Sequence, residues 1–98
     1  MKIEKLVENN VTTLVIKGRV DTTTAPEFES NVDACVEGLE ELILDCKEIE
    51  YISSAGLRVI LKAQKVMNTQ GAMKLTGVND SIMEVFDITG FLDILTIE

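Results

Sequence analysis

Two adjacent serines, Ser53 and Ser54, are the residues of this chain best suited to a modification chemistry. They follow the apolar run at residues 42–46, which is typical of a buried strand, and they precede a segment with helical spacing. Ser54 should therefore lie at or beside a helix N-terminus, where unpaired N–H groups and the positive end of the helix dipole face outward. A phosphate attached there would be electrostatically tolerated. From these residues alone, helix capping by both serines is the simpler interpretation.

The composition excludes several kinds of catalytic site. The chain has no histidine, so His-dependent triads, His-ligated zinc and phosphohistidine carriers are excluded. It also lacks the Gly-x-Ser-x-Gly elbow of hydrolases and a Gly-rich phosphate loop followed by lysine. Cys35 and Cys46 lie in apolar surroundings without Cys-x-x-Cys spacing, which favours buried, reduced thiols. We therefore expect no enzymatic activity, no metal and no cofactor.

Charge and length limit the partners and the location. The net charge is −8, from 17 acidic and 9 basic residues, which argues against binding to nucleic acid. No apolar run approaches the roughly 18 residues of a membrane span, and the chain begins with strand-like alternation rather than a signal peptide. These features predict a single domain over residues 1–98 that is cytoplasmic and does not insert into a membrane.

The hydrophobic pattern predicts four strands. They are expected at residues 2–7, 11–17, 42–46 and 73–78, with Gly18 ending the second strand. The segment at residues 91–97 is apolar enough for either a fifth strand or a packed C-terminal tail, and the sequence leaves both open.

Three helices are predicted between and after these strands. Thr24 and Glu27 are spaced as a capping box at the start of the first helix, and Gly38 is a suitable stop. The second helix should run from residue 54 or 55 to residue 68 and close near Gly71, and residues 79–81 should cap the third. The element order is then β-β-α-β-α-β-α, with an optional last strand.

This order predicts an α/β fold, a mixed sheet of four to five strands with helices packed on it. Functional sites in such sheets collect at the carboxyl ends of the strands. The loops at residues 18–24 and 47–54 should meet at one edge, which would bring Asp21, and possibly Asp45, near Ser54. Asp45 is expected mainly to end its strand and hold loop amides.

The segment YISSAGLRVIL at residues 51–61, preceded by Leu-Ile-Leu-Asp, resembles the signature of the STAS family, the bacterial anti-sigma factor antagonists. The usual form of that signature is Asp-Ser-Ser/Thr-Gly-Leu, and its first hydroxyl is the regulatory phosphoacceptor. On this chain Ser53 stands in the position of the aspartate, Ser54 in that of the acceptor and Ala55 in that of the second hydroxyl. Gly56 and Leu57 match directly. The resemblance covers essentially the whole chain, including Gly-Arg-Val-Asp at residues 18–21.

The resemblance implies a partner-switching regulator of transcription. In its unphosphorylated form it would bind an anti-sigma factor, itself a serine kinase, and so release the sigma factor. Phosphorylation of Ser54, or as a second choice Ser53, would end the binding, and a PP2C-type phosphatase would restore it. The alternative is a STAS subunit of a transporter or lipid-transport complex without a phosphorylation cycle. A small ligand-binding or nucleotide-binding domain is the weakest alternative. The chain is expected to be a monomer or a weak dimer.

The residues expected to contact the partner surround the serine pair. Asp21 before three threonines also suits a turn or helix entry, while the resemblance places it where it could orient Ser54 or contact the kinase. The three basic residues of the set fall on one narrow stripe of the second helix, which is either a solvated face or a partner contact. The full set is Asp21, Thr22, Thr23, Ser53, Ser54, Ala55, Gly56, Arg58, Lys62 and Lys65.

Overall fold

The computed structural model describes all 98 residues and contains one four-stranded sheet with the spatial order β1-β2-β3-β4. The strands are β1 (Lys2–Glu8), β2 (Val11–Val20), β3 (Glu41–Ile52) and β4 (Ala72–Thr76). β1 runs antiparallel to β2, whereas β2, β3 and β4 are mutually parallel neighbours. Three helices follow β2, β3 and β4 in turn: α1 (Ala25–Cys35), α2 (Ser54–Asn68) and α3 (Asp80–Ile88). The predicted α/β class and element order are confirmed.

One face of the sheet forms the hydrophobic core with the helices. Alternate residues of the strands are buried on this face, because side chains of a strand point to opposite sides in turn. They pack with Phe28 and Val32 of α1, with Ile60 of α2 and with Phe86 of α3 in a cluster of 23 buried residues. The strand residues of this face are Thr12, Leu14, Ile16, Leu42, Leu44, Cys46, Met73 and Leu75. The opposite face of the sheet carries ion pairs such as Lys17 with Glu4, at 3.0 Å.

β3 is longer than predicted, because residues 47–52 also belong to the strand. Its register against β2 shifts twice, between Val15 and Lys17 and again between Gly18 and Arg19. At each shift β3 contains one extra residue, which is a β-bulge. The buried residues after position 46 are therefore Ile49 and Ile52, which are three positions apart instead of two. The prediction that residues 47–50 form a loop is wrong, because two bulges hide the strand periodicity.

β2 also continues past its predicted end. Gly18 was expected to terminate the strand, yet residues 18–20 still pair with β3. Gly18 adopts φ +95° within the strand, next to the second register shift. β4, in contrast, ends at Thr76, two residues before its predicted end.

The C-terminal residues form a packed tail that touches the sheet at one point. A short 3-10 helix covers Phe91–Asp93. Ile97 then forms a single parallel bridge with Leu75, supported by hydrogen bonds from Leu75 N to Thr96 O and from Glu98 N to Leu75 O, both 2.9 Å. Leu95 between them is buried in the core. The segment is thus a tail anchored on β4 and not a full fifth strand.

Both cysteines are free thiols. Cys46 lies in the core with 1% of its surface exposed, whereas Cys35 is only half-buried, contrary to the prediction. Burial raises the pKa of the Cys46 thiol to about 12, from an ordinary value of 9.0. Because the unfolded chain loses this proton above pH 9 while the folded chain keeps it, the stabilisation is complete below pH 9 and decreases as the pH rises. We expect the free energy of unfolding to fall by about 1.4 kcal/mol between pH 8 and pH 10 through this group.

Urea unfolding at the two pH values measures this loss. Cys46→Ala has no thiol and adds no bulk to the core, so its free energy of unfolding should fall less over the same interval. Equal losses in the two proteins would contradict the assignment.

Candidate functional site

Ser53 and Ser54 lie at the N-terminus of α2, immediately after β3, and they have different roles. Ser53 is the N-cap, with an extended backbone, and its Oγ accepts a hydrogen bond from the backbone N–H of Gly56 at 3.5 Å. Ser54 is the first helical residue and its side chain is exposed. The capping function therefore falls on Ser53 alone, which leaves the hydroxyl of Ser54 at the surface.

The ends of β2 and β3 bring Asp21 to the same edge as the serines. Val20 and Ile52 are partners in the parallel ladder, and the backbone N–H of Ser53 donates to the carbonyl oxygen of Val20 at 2.8 Å. The chain then leaves the sheet at Asp21 on one side and at Ser53 on the other. The two segments that the sequence predicted to meet are held together by this backbone hydrogen bond.

Asp21 organises the turn that leads into α1. Its Oδ1 accepts hydrogen bonds from the backbone N–H groups of Thr23 at 3.0 Å and Thr24 at 3.1 Å. These contacts, chiefly the one from Thr24, hold the pKa of the Asp21 carboxyl below its usual value. The structure thus gives Asp21 the turn and helix-entry role, and its carboxylate fixes the loop beside the serine pair.

The predicted capping box is wrong. The side chain of Thr24 makes no capping hydrogen bond to α1, and its backbone is already helical. Its hydroxyl turns back instead, donating to the carbonyl oxygen of Arg19 at 2.9 Å and accepting from the N–H of Asp21 at 2.8 Å. The carboxylate of Asp21, three residues upstream, accepts the N–H groups of Thr23 and Thr24 instead, and the N–H of Glu27 donates to the backbone carbonyl oxygen of Thr24 at 3.1 Å.

Asp45 lies far from the serines. It sits in the middle of β3, paired with Val15 and Thr76, and the seven residues to Ile52 span roughly 20 Å of strand. The expectations that Asp45 ends its strand and approaches Ser54 are therefore wrong. Its Oδ1 does accept a backbone hydrogen bond, from the N–H of Lys47 at 3.2 Å, as expected of a residue that holds nearby amides.

The three cations of the basic stripe on α2, Arg58, Lys62 and Lys65, are all exposed, but only Lys62 forms ion pairs. Lys62 lies 3.2 Å from a carboxylate oxygen of Glu29 and 3.3 Å from one of Asp33, both on α1. These two partners, Glu29 first, raise the pKa of the Lys62 amine. Arg58 and Lys65 take part in no ion pair. Lys62 therefore joins the two helices, and the other two cations face solvent.

A groove of about 270 Å³ lies between the first turns of α1 and α2, and its lining includes Ala55, the residue that follows Ser54. Thr22 and Pro26 line it on the α1 side, and Ala55 and Arg58 line it on the α2 side, with Glu29 further along. The groove and the serine pair both lie at the N-terminal end of α2. Thr22, Ala55 and Arg58 of the predicted set share this groove. Thr23 lies in the same loop, and Lys65 lies near the other end of α2.

Gly56 sets the position of this surface. A Cβ atom at this residue would lie 2.7 Å from Cγ1 of Val20 and 2.8 Å from Cγ1 of Ile52. Both neighbours are buried and β-branched, so they have little freedom to move away. Only glycine lets the first turn of α2 pack this closely on the ends of β2 and β3.

Arg19 and Tyr51 are two site residues that the sequence analysis missed. They are partners in the ladder, the Arg19 guanidinium lies 4.4 Å from the centre of the Tyr51 ring, and Arg19 Nε is 3.9 Å from Oδ2 of Asp21. Tyr51 is 42% exposed, and tyrosine and arginine are among the residue types enriched at the energetic centres of protein interfaces. Extending both strands in the prediction would have placed the two side chains on one face.

The structure contains neither a membrane-spanning helix nor a cluster of metal ligands. None of the three helices has the length and hydrophobicity needed to cross a bilayer. No three His, Cys, Asp or Glu side chains converge as metal ligands.

Comparison with known proteins identifies the family. A model of the STAS domain matches residues 2–98. The anti-sigma factor antagonist BtrV of Bordetella bronchiseptica is 37% identical over 84 residues, which cover 84% of this chain and 72% of that protein. The anti-sigma-B factor antagonist of Bacillus subtilis is 31% identical over 83 residues, which cover 84% of this chain and 76% of that protein.

Solved structures share the fold. An anti-sigma factor antagonist from Thermotoga maritima has a TM-score of 0.89 at 22% identity, covering 97% of this chain and 84% of its own. The Bacillus cell fate determinant SpoIIAA in its phosphorylated form has a TM-score of 0.77 at 13% identity, covering 99% of this chain and 91% of its own. At these identities the likeness concerns the fold.

The named relatives are regulatory proteins, which confirms the prediction that the chain belongs to a class of binding proteins and not of enzymes. The range that the family model matches, residues 2–98, includes the serine pair at the start of α2. The chain belongs to the STAS domain family of anti-sigma factor antagonists.

Proposed function

We propose that this protein is the antagonist of a partner-switching system in the cytoplasm, acting as one domain over residues 1–98. In its unphosphorylated form it binds an anti-sigma factor that is also a serine kinase, and the sigma factor is released to join RNA polymerase. The observation that carries this proposal is the exposed hydroxyl of Ser54 at the first residue of α2, in the acceptor position of the family motif.

The proposed switch is a phosphoryl transfer to Ser54. The γ-phosphoryl group passes from ATP to Oγ of Ser54, the hydroxyl proton is released and ADP leaves. A metal-dependent serine phosphatase of the PP2C type reverses the step with water, which yields the free hydroxyl and inorganic phosphate. The chain supplies no catalytic group to either reaction, and its role is to present the serine.

The choice of Ser54 over Ser53 rests on their different environments. The Ser53 side chain is half-buried and its Oγ is directed at the N–H of Gly56, whereas the Ser54 side chain is exposed. A phosphate on Ser54 would also sit at the positive end of the α2 dipole, so it would not destabilise the helix. Ala55 offers no hydroxyl in competition.

A phosphate on Ser54 would act within the contact itself. It adds about −1.5 to −2 charges at neutral pH to a chain whose net charge is already −8. It would also add bulk at the first turn of α2, next to the groove that Thr22, Ala55 and Arg58 line. No rearrangement of the fold is needed to break the complex, because charge and bulk enter the interface directly.

Incubation with the anti-sigma factor kinase encoded in the same genome and ATP should add one phosphate, on Ser54. Peptide mass spectrometry identifies the site, Ser54→Ala should remove the modification, and Ser53→Ala should retain it. A phosphate found on Ser53 would overturn the assignment of the acceptor. Failure of the kinase both to bind and to modify the protein would favour a STAS subunit of a transport complex.

A further inference from the structure

We propose that Arg58 binds the phosphate carried by Ser54, so that one modification adds negative charge and also removes a free cation from the partner surface. This inference rests on the proposed function. It concerns the fate of the phosphate after transfer, which the motif itself does not determine.

The helix geometry places Arg58 next to the modified residue. Ser54 and Arg58 are four residues apart in α2, so their Cβ atoms lie on one face, about 5–6 Å apart. Helical side chains lean toward the N-terminus, and the surface that Arg58 covers is therefore the turn containing Ser54. Both residues are exposed, so neither side chain must leave the core to meet the other.

The other cations near this surface are engaged or distant. Lys62 is held between Glu29 and Asp33 of α1. Arg19 is stacked on the Tyr51 ring, with its Nε 3.9 Å from Asp21. Lys65 is eleven residues from Ser54, which is roughly 16 Å along the helix axis. Arg58 has no carboxylate partner, so the phosphate meets no competitor for it.

The chemistry of the pair favours arginine. A planar guanidinium donates two parallel N–H groups to a phosphate, and such charge-assisted hydrogen bonds are about twice as strong as neutral ones. The pair stabilises the dianionic phosphate, since that form accepts both hydrogen bonds best. Pairing with the phosphate would also draw the Arg58 guanidinium away from the groove, which Arg58 and Thr22 both line.

The test uses the full chain with phosphoserine installed at position 54 during translation, so that no kinase is required. A ³¹P NMR titration at low ionic strength measures the second pKa of the phosphate. Arg58→Gln should raise that pKa by about half a unit, because the ion pair that favours the dianion is lost. Arg58→Lys keeps the charge without the planar fork and should raise it less.

Lys65→Gln is the matched control, because it removes the same charge from an exposed position of the same helix. It should leave the phosphate pKa unchanged. An Arg58→Gln protein that titrates like the wild type, or a Lys65→Gln protein that shifts as much, would overturn the proposal. A kinase that ignores Ser54 would instead refute the proposed function and leave the titration result standing.

Discussion

Ser54→Asp is expected to weaken binding of the anti-sigma factor kinase by about a hundredfold or more, which corresponds to roughly 3 kcal/mol. The substitution places a negative charge on an exposed side chain in the middle of the proposed interface. The fold should be unaffected, because an acidic residue in the first turn of α2 interacts favourably with the helix dipole. Isothermal titration calorimetry measures the affinity, and thermal unfolding checks the fold.

Ser53→Asp is the matched control for this experiment. It adds the same charge one residue earlier, at the N-cap, where aspartate caps a helix well and where the family motif has aspartate. The Ser53 side chain is half-buried and accepts from the N–H of Gly56, so affinity should change by less than about threefold. Equal losses for the two variants would mean that the charge acts generally and not at position 54. Full affinity of Ser54→Asp would remove Ser54 from the interface.

Gly71→Ala is expected to lower the free energy of unfolding by about 3 kcal/mol. An added Cβ would collide with the carbonyl oxygen of Glu40 and would lie 2.8 Å from its carbonyl carbon. The backbone at Glu40 is fixed on both sides, because its oxygen accepts from Ala72 N at 2.9 Å and its N–H donates to Asn10 O at 3.1 Å. The clash can be relieved only by displacing the connection between α2 and β4.

Gly38→Ala provides the comparison. A Cβ at that position meets no atom within 4 Å, but the residue has φ +70°, so the substitution should cost only about 1 kcal/mol of backbone strain. Urea denaturation of both variants at neutral pH gives the two values. If Gly71→Ala is no less stable than Gly38→Ala, the close approach to Glu40 is not a constraint on the fold.

The sequence located the serine motif correctly because its signals are local. A strand followed by a helix is recorded in residues that are neighbours along the chain, through the apolar run before Ser53 and the helical spacing after Ser54. α2 accordingly begins at Ser54 and ends at Asn68, as predicted, and Asn79 caps α3 with a hydrogen bond from Ile82 N at 2.9 Å. The exposure of the basic stripe follows from the same periodicity.

Local signals of this kind did not predict where β2 and β3 end. The two β-bulges replace the two-residue alternation of a strand with three-residue steps at Cys46, Ile49 and Ile52. Because Asp45 then lies within the strand instead of at its end, the expected approach to Ser54 fails. Arg19 and Tyr51 were missed for the same reason, since their stacking exists only if both strands extend to the motif.

By itself, the sequence determined the order of the elements, the start of α2 and the serine that it presents, because these depend on periodicity and capping within a few residues. Only the tertiary structure decided which side chains around that serine form ion pairs and which remain free. Lys62 differs from Arg58 because two α1 carboxylates, 29 and 33 positions away along the chain, reach only Lys62. The sequence pattern predicts only a helix stop at Gly71, whereas in the structure the backbone of Glu40 lies against this residue. Both facts arise from contacts between distant segments, which no local pattern encodes.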